Sequence, residues 1–196
     1  MLFVDHLPRA LFPKTAFAFA ALVCASASFA DTQGVGYETD GDRIVFTVDV
    51  AENFDLFETT FLRLTGARSQ AEPLFFTEGR IFPAGTIQGE GEDFDPSAEG
   101  SIGRWLCRGT RIGPAAFVWP EADDAQIQTS QVYLFPDDTR ALATEGIEGD
   151  DADVRTISYG TGMYRGFLGE QRQEFLGYNA TGGVNLRVTF VLERRK

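Results

Sequence analysis

Short stretches in which apolar and polar residues alternate, separated by turns that contain glycine, make up most of the chain beyond residue 40. The clearest stretch is 184–192, where every second residue is apolar and most residues between them are polar. A period of two is typical of a strand that buries one face. The predicted inward positions are Val184, Leu186, Val188, Phe190 and Leu192, and the predicted outward positions are Asn185, Arg187 and Thr189.

Other predicted strands follow one another at a similar spacing. They cover 43–50, 74–76, 80–82, 102–110, 115–119, 126–135, 155–159 and 165–178, with a turn at Glu78-Gly79 between the second and third. The segment 52–64 has two interpretations: a short helix, because Phe54, Phe57, Phe61 and Leu64 have helical spacing, or another strand with a bulge. About eight short strands with regular turns predict an all-β barrel or sandwich.

The first 30 residues have the three parts of a cleavable secretory signal. Arg9 and Lys14 lie in a basic start, an apolar run covers 16–23, and small residues precede Ala30. The apolar run is too short to cross a bilayer of about 30 Å as a helix. We therefore predict that residues 1–30 are a signal peptide, with cleavage after Ala30 or alternatively after Ala27. Residues 31–196 would form one secreted or periplasmic domain.

The charge of the chain argues against polyanionic partners. The formal net charge is −12 at pH 7, which disfavours binding to nucleic acid or to an anionic membrane. Acidic residues concentrate in two segments, 88–100 and 145–153, which both look irregular. Clustered carboxylates could hold Ca²⁺, but neither segment has the spacing of an EF-hand loop, and solvated loops are the other interpretation.

The scarcity of histidine and cysteine limits the possible chemistry. His6 is the only histidine and lies in the predicted signal, as does Cys24, so Cys107 is the single cysteine of the mature domain. This excludes Ser-His-Asp and Cys-His nucleophile systems and histidine metal sites. We expect Cys107 to be a buried structural thiol, and we expect neither a metal nor a cofactor.

Three segments, taken in order, carry a family resemblance. They are 101–106 (SIGRWL), the strand, turn and return strand from Val132 to Gly146, and 157–169 (ISYGTGMYRGFLG). Together they resemble the allene oxide cyclase barrel-like superfamily, which includes plant dirigent proteins, and this chain would be a bacterial-type exported member. The resemblance implies an eight-stranded antiparallel β-barrel with an apolar interior, and a possible homotrimer.

The resemblance does not extend to the family's reactive positions. Where plant dirigent proteins have an acidic residue and an arginine, this chain has Met163 and Leu168. The pocket cysteine of the plant cyclase would fall at Gly109. The resemblance therefore implies the scaffold rather than either plant activity, and no catalytic residue is assigned.

Inward-facing aromatic residues of the central strands are the candidate ligand contacts. They flank Gly103 and Gly169, where missing side chains are expected to leave room. Arg104 and Arg108 alternate with them and should face solvent. The candidate ligand-binding residues are Trp105, Cys107, Tyr133, Phe135 and Phe167.

The leading hypothesis is an exported barrel that binds a small apolar molecule and could guide its cyclisation or coupling by confinement. If the protein is an enzyme, we expect a cyclase-like or isomerase-like activity that needs no histidine or metal; carboxylates or tyrosines in the barrel mouth could then act as acids or bases. The alternative is a non-catalytic secreted structural or interaction barrel with a filled core.

Overall fold

The computed structural model describes residues 35–59, 74–112, 126–136, 139–148 and 154–195. The described chain is all-β, apart from a single 3₁₀ turn at Gly162–Tyr164. None of its helical segments is long and apolar enough to span a membrane. The strands are β1 (Glu38–Asp40), β2 (Arg43–Thr59), β3 (Leu74–Pro83), β4 (Gly103–Ile112), β5 (Gln126–Leu134), β6 (Ala141–Glu148), β7 (Val154–Gly160), β8 (Phe167–Tyr178) and β9 (Val184–Arg194).

Strands β2 to β9 form a closed antiparallel barrel. Each pairs with the next along the chain, and β9 returns to pair with β2. The closing register runs from Arg43 opposite Glu193 to Ala51 opposite Asn185. Strand β1 forms a short hairpin with the start of β2 and lies outside the ring of eight. The predicted eight-stranded antiparallel barrel is confirmed.

The predicted facing of β9 is confirmed, with one addition. Leu186, Val188, Phe190 and Leu192 are buried and Val184 is half-buried. Asn185 is also buried, although it lies on the outward face. Its amide donates to the carbonyl of Gly91, 3.1 Å away, because the loop after β3 covers this part of the outer wall.

The covering loop spans residues 84–102 and contains the first acidic segment. Ile87 and Phe94 pack on Phe82 from outside, with Ala51 nearby, and form a small second core. Buried Asp49 anchors the loop by accepting from the Ile87 backbone N–H at 3.0 Å. The first acidic segment therefore lies in an ordered cover on the barrel wall.

Two predicted boundaries are wrong. No turn interrupts β3 at Glu78-Gly79; Gly79 instead allows close approach to β2, since a Cβ there would lie 2.3 Å from the carbonyl oxygen of Ala51. The second acidic segment is not wholly irregular, because β6 continues to Glu148.

In the ambiguous segment 52–64, the strand interpretation holds to Thr59, with a register shift between Asn53 and Glu58. Residues 60–64 and the predicted strand at 115–119 lie outside the described residues.

The Gly160-Thr161-Gly162 motif fastens the turn after β7 to β6. The Thr161 hydroxyl accepts from the Ala141 N–H at 2.8 Å and donates to the Thr139 carbonyl at 3.0 Å. Gly162 has a φ of +58°, and a Cβ there would lie 2.6 Å from that same carbonyl. The motif that carries the resemblance therefore has a structural role: it holds the turn after β7 against β6, and glycine is required because the two backbones approach closely.

Candidate functional site: the barrel interior

All five candidate residues point into one interior core. Trp105 and Tyr133 lie directly opposite each other on β4 and β5. Tyr133 and Phe135 are almost fully buried, and Trp105, Cys107 and Phe167 are at most 5% exposed. Arg104 and Arg108 face solvent as expected, and Arg104 forms an exposed ion pair with Glu78 at 2.8 Å. The structure thus brings the five together and leaves the arginines outside.

One end of the interior, which we call the aromatic half, is filled by rings. The Phe46 ring lies between those of Phe190, at 4.7 Å, and Tyr164, at 5.7 Å. Tyr133 meets Phe190 edge to face at 4.9 Å. The hydroxyl groups of Tyr37 and Tyr164 lie 2.8 Å apart where the chain enters the barrel. The members of the aromatic half are Tyr37, Phe46, Tyr133, Phe135, Tyr164 and Phe190.

The other end, the polar half, is organised around a buried guanidinium. The side chain of Arg155 is inaccessible to solvent and donates to three groups: the Thr144 hydroxyl at 3.1 Å, the Glu148 carboxylate at 3.2 Å and the Thr129 carbonyl at 2.8 Å. Its stem lies against Gly146, where a Cβ would approach it to 2.9 Å. The members of the polar half are Thr129, Gln131, Thr144, Glu148, Arg155, Gln171 and Gln173.

Gln131 joins the two halves. Its amide nitrogen donates to Glu148 at 2.9 Å and to Gln173 at 3.2 Å, while its amide oxygen accepts from the Tyr133 hydroxyl at 2.5 Å. Burial raises the pKa of Tyr133 well above its usual range, so this hydroxyl stays protonated and remains a donor. A continuous path of hydrogen bonds therefore runs from Arg155 to the aromatic rings.

A second carboxyl group, that of Glu52, lies at the bulge of β2. It accepts from the Thr77 hydroxyl at 2.5 Å and from the Val184 backbone N–H at 2.9 Å. Burial raises its pKa, because the charged form is poorly solvated there. Glu52 thus ties β3 and β9 to β2 and retains its proton to higher pH than an exposed glutamate.

Cys107 is not set up as a nucleophile. It is buried opposite Thr77 and Gln131. Burial, and to a smaller extent the charge of Glu148, raises the pKa of its thiol well above the ordinary value. Since the thiolate is the reactive form, the structure agrees with the expected structural thiol.

The glycines flanking the candidate site do not leave the room that was expected. A Cβ at Gly103 would lie 2.4 Å from the carbonyl oxygen of Leu134, and one at Gly169 would lie 2.0 Å from that of Val191. Both positions allow neighbouring backbones to approach. The interior glycines that accommodate side chains are instead Gly109, under the Phe75 ring, and Gly146, under Arg155.

The polar half is the part of the site that the sequence interpretation missed. The sequence pattern predicts Glu148 to lie in an acidic loop and does not predict an inward position for Arg155. One available signal was the period of two in β5, where Thr129 and Gln131 share the face of Tyr133 and Phe135. A second was the pair Gln171 and Gln173, two residues apart in β8.

The barrel wall carries an open groove of about 650 Å³ that extends from β2 to β7, and Cys107 of the candidate set is among its lining residues. Its floor includes Leu106, Val132 and Ala143, and the exposed rings of Phe76 and Tyr159 flank it. Across the described residues, no group of three or more histidine, cysteine, aspartate or glutamate side chains is arranged to hold a metal ion.

The closed eight-stranded antiparallel barrel has the same fold as solved dirigent proteins. The pterocarpan synthase dirigent protein PsPTS1 superposes with a TM-score of 0.56 and 11% identity over 81% of this chain and 99% of that one. The pterocarpan synthase dirigent protein GePTS1 superposes with a TM-score of 0.51 and 12% identity over 83% of this chain and 93% of that one. Pyocyanin demethylase superposes with a TM-score of 0.47 and 13% identity over 76% and 98%.

Comparisons at the level of sequence give no match. No family model matches the chain, and no curated protein is similar to it. The structural likeness to dirigent proteins shows the fold, and it confirms the predicted allene oxide cyclase or dirigent-like barrel at that level.

Proposed function

We propose that this protein is an exported barrel that binds a small apolar molecule in its interior and guides the cyclisation or coupling of that molecule by holding it in one conformation. The observation that carries the proposal is the joining of an aromatic half to an ordered polar half within one closed barrel. Apolar walls with a few fixed polar groups are characteristic of small-molecule sites. The neighbours named as dirigent proteins support the same kind of role.

Confinement fits the chemistry of the interior residues. The buried thiol of Cys107 is a poor nucleophile, and each of the three guanidinium nitrogens of Arg155 donates a hydrogen bond to a protein acceptor. Holding a reactive molecule in a productive geometry can by itself lower a barrier by several kcal/mol, about 7–11 in favourable intramolecular models. The proposed role therefore requires a shaped interior more than a reactive side chain.

Tryptophan fluorescence tests the binding proposal. The variant Trp119→Phe leaves Trp105 as the single tryptophan, and a panel of small ring compounds is then titrated against it. We expect quenching or a spectral shift with at least one compound. Phe135→Ala should weaken that binding, whereas Arg104→Ala, on the same barrel but outward-facing, should not. Chelators should have no effect, and no histidine titration near pH 6.5 should appear.

A second candidate function is a proton-moving isomerase or cyclase, and one observation favours it. The side chain of Glu148 is 25% exposed, and the three side-chain hydrogen bonds described for its carboxylate all involve Oε1. Oε2 is therefore oriented by its neighbours and available to a bound molecule. If turnover is found, Glu148→Gln should abolish it without abolishing ligand binding, whereas confinement alone predicts a small change in rate.

Export is supported by the tripartite N-terminal pattern, which lies outside the described residues. Mass spectrometry of the protein isolated from its native host should find a mature N-terminus at Asp31. Intact residues 1–30 on cytoplasmic protein would contradict the secreted or periplasmic assignment.

A further inference from the structure

Two buried polar atoms in the barrel interior lack a hydrogen-bond partner among the described residues. They are the indole Nε1 of Trp105 and the amide oxygen of Gln171. Trp105 is 2% exposed and Gln171 is fully buried. The first atom is a donor and the second an acceptor. Leaving a buried polar group unpaired is unfavourable, so such atoms need an explanation.

Both atoms belong to residues next to the Tyr133–Gln131 hydrogen bond, which joins the two halves of the interior. Trp105 lies opposite Tyr133, whose hydroxyl donates to Gln131 Oε1 at 2.5 Å. Burial raises the pKa of Tyr133, and the Trp105 indole N–H, directed at the Tyr133 hydroxyl, opposes a small part of that rise, but the two groups do not reach hydrogen-bond geometry. Gln171 Nε2 lies 3.5 Å from Gln131 Oε1 and 3.1 Å from Gln173 Oε1, which directs the amide oxygen of Gln171 away from its glutamine neighbours.

We propose that Trp105 Nε1 and Gln171 Oε1 form a subsite for a hydroxyl group, and that the ligand is a neutral alcohol with an apolar body. A hydroxyl accepts one hydrogen bond and donates another, which matches one free donor and one free acceptor. The inference rests on the proposed function, because it requires that a small molecule enters the barrel.

The charges of the interior favour a neutral ligand over an ion. Arg155 is balanced by Glu148 at 3.2 Å, and burial favours the protonated form of Glu52. An ammonium or carboxylate brought to Trp105 and Gln171 would be desolvated beside two neutral side chains, which is costly. The subsite should therefore discriminate against charged analogues as well as against hydrocarbons.

Four probes of matched size test the subsite: benzyl alcohol, toluene, benzylammonium and benzoate. With Trp119→Phe protein, we expect benzyl alcohol to bind about tenfold or more tightly than toluene, and the two ions to bind most weakly. The Trp105 Nε1–H resonance should move downfield with benzyl alcohol and much less with toluene. Equal affinities for benzyl alcohol and toluene would mean that internal water satisfies the two atoms, and would overturn the subsite while leaving the proposed function standing.

Two variants separate recognition from stability. Gln171→Met should lose the preference for benzyl alcohol while still binding toluene, and Arg172→Gln, which is outward-facing on the same strand, should retain the preference. Thermal unfolding checks that each variant is folded. If Gln171→Met does not fold, the comparison of the four probes on protein that retains Gln171 decides the question. If none of the four probes binds, the proposed function fails together with the subsite.

Discussion

The aromatic half and the polar half lie in one barrel and their strand residues follow the same alternation, yet they depend on different forces. Strand β5 shows the change directly: Thr129 and Gln131 point inward first, followed by Tyr133 and, one residue past the end of the strand, Phe135. In the aromatic half, contacts are many and individually weak. In the polar half, a few hydrogen bonds share one cation, so that each depends on the others. The comparison teaches that alternation determines which residues face inward, but not what kind of interior they form.

The largest expected effect comes from placing a charge among the apolar inward residues. Val188 is fully buried on β9, opposite Val48. Val188→Asp should prevent folding, because an unpaired buried charge costs several kcal/mol or more against a total stability of about 5–15 kcal/mol. Circular dichroism and denaturant unfolding measure this. Thr189→Asp, one residue along on the outward face, should be mild, and equal effects at the two positions would contradict the facing of β9.

The next effect concerns the single cation of the polar half. Arg155→Met removes the partner of Glu148, and we expect a loss of about 3 kcal/mol in the free energy of unfolding, at the low end for broken buried pairs because Glu148 is partly exposed. The double variant Arg155→Met/Glu148→Gln should recover part of this loss. Urea unfolding of both proteins provides the test; no recovery in the double variant would show that the ion pair does not organise this half.

A smaller effect is expected at the junction of the halves. Tyr133→Phe keeps the ring against Phe190 but removes the donor to Gln131 Oε1. We expect a loss of about 1–2 kcal/mol in the free energy of unfolding, the cost of one buried hydrogen bond. Phe135→Leu, which leaves the hydrogen bonds intact, is the control for ring packing. A Tyr133→Phe protein as stable as the parent would mean that the two halves are energetically independent.

The smallest effect is a pH dependence at Glu52. Because burial raises its pKa above 4.5, the folded protein holds this proton more tightly than the unfolded chain does. Stability from this group is therefore fully present below the unfolded pKa and is lost as pH rises through the folded pKa. Glu52→Gln should remove that loss, so the variant should gain stability relative to the parent as pH rises from about 4.5. A difference that stays constant with pH would contradict the raised pKa.

Much of the fold could be predicted because local pattern and global arrangement agree. The alternation in 184–192 correctly assigned the inward face of β9, and the same alternation placed Trp105 and Tyr133 inside. The resemblance carried by Gly160-Thr161-Gly162 led to the correct barrel. The physical reason is that the turn after β7 requires glycine at positions where a Cβ would collide with neighbouring atoms.

The polar half could not be predicted because its hydrogen bonds and its ion pair join residues on different strands, even where the two partners are close in sequence, as Glu148 and Arg155 are. Glu148 ends a strand within an acidic stretch, and only the return of β7 brings Arg155 to it. Similarly, Asn185 has the polarity of an outward residue and is buried because the loop at 84–102 and Asn179 both contact its side chain. Alternation predicts which face of its strand a residue occupies. These pairings depend instead on how the strands and loops pack against one another in the folded protein.

The central claim is that a small molecule binds inside the barrel, and intermolecular nuclear Overhauser effects test it most directly. With benzyl alcohol or the tightest compound of the fluorescence screen, we expect contacts from ligand protons to the rings of Trp105, Tyr133 and Phe190. Contacts confined to Phe76 and Tyr159 would place the ligand in the outer groove and would contradict the proposed interior site.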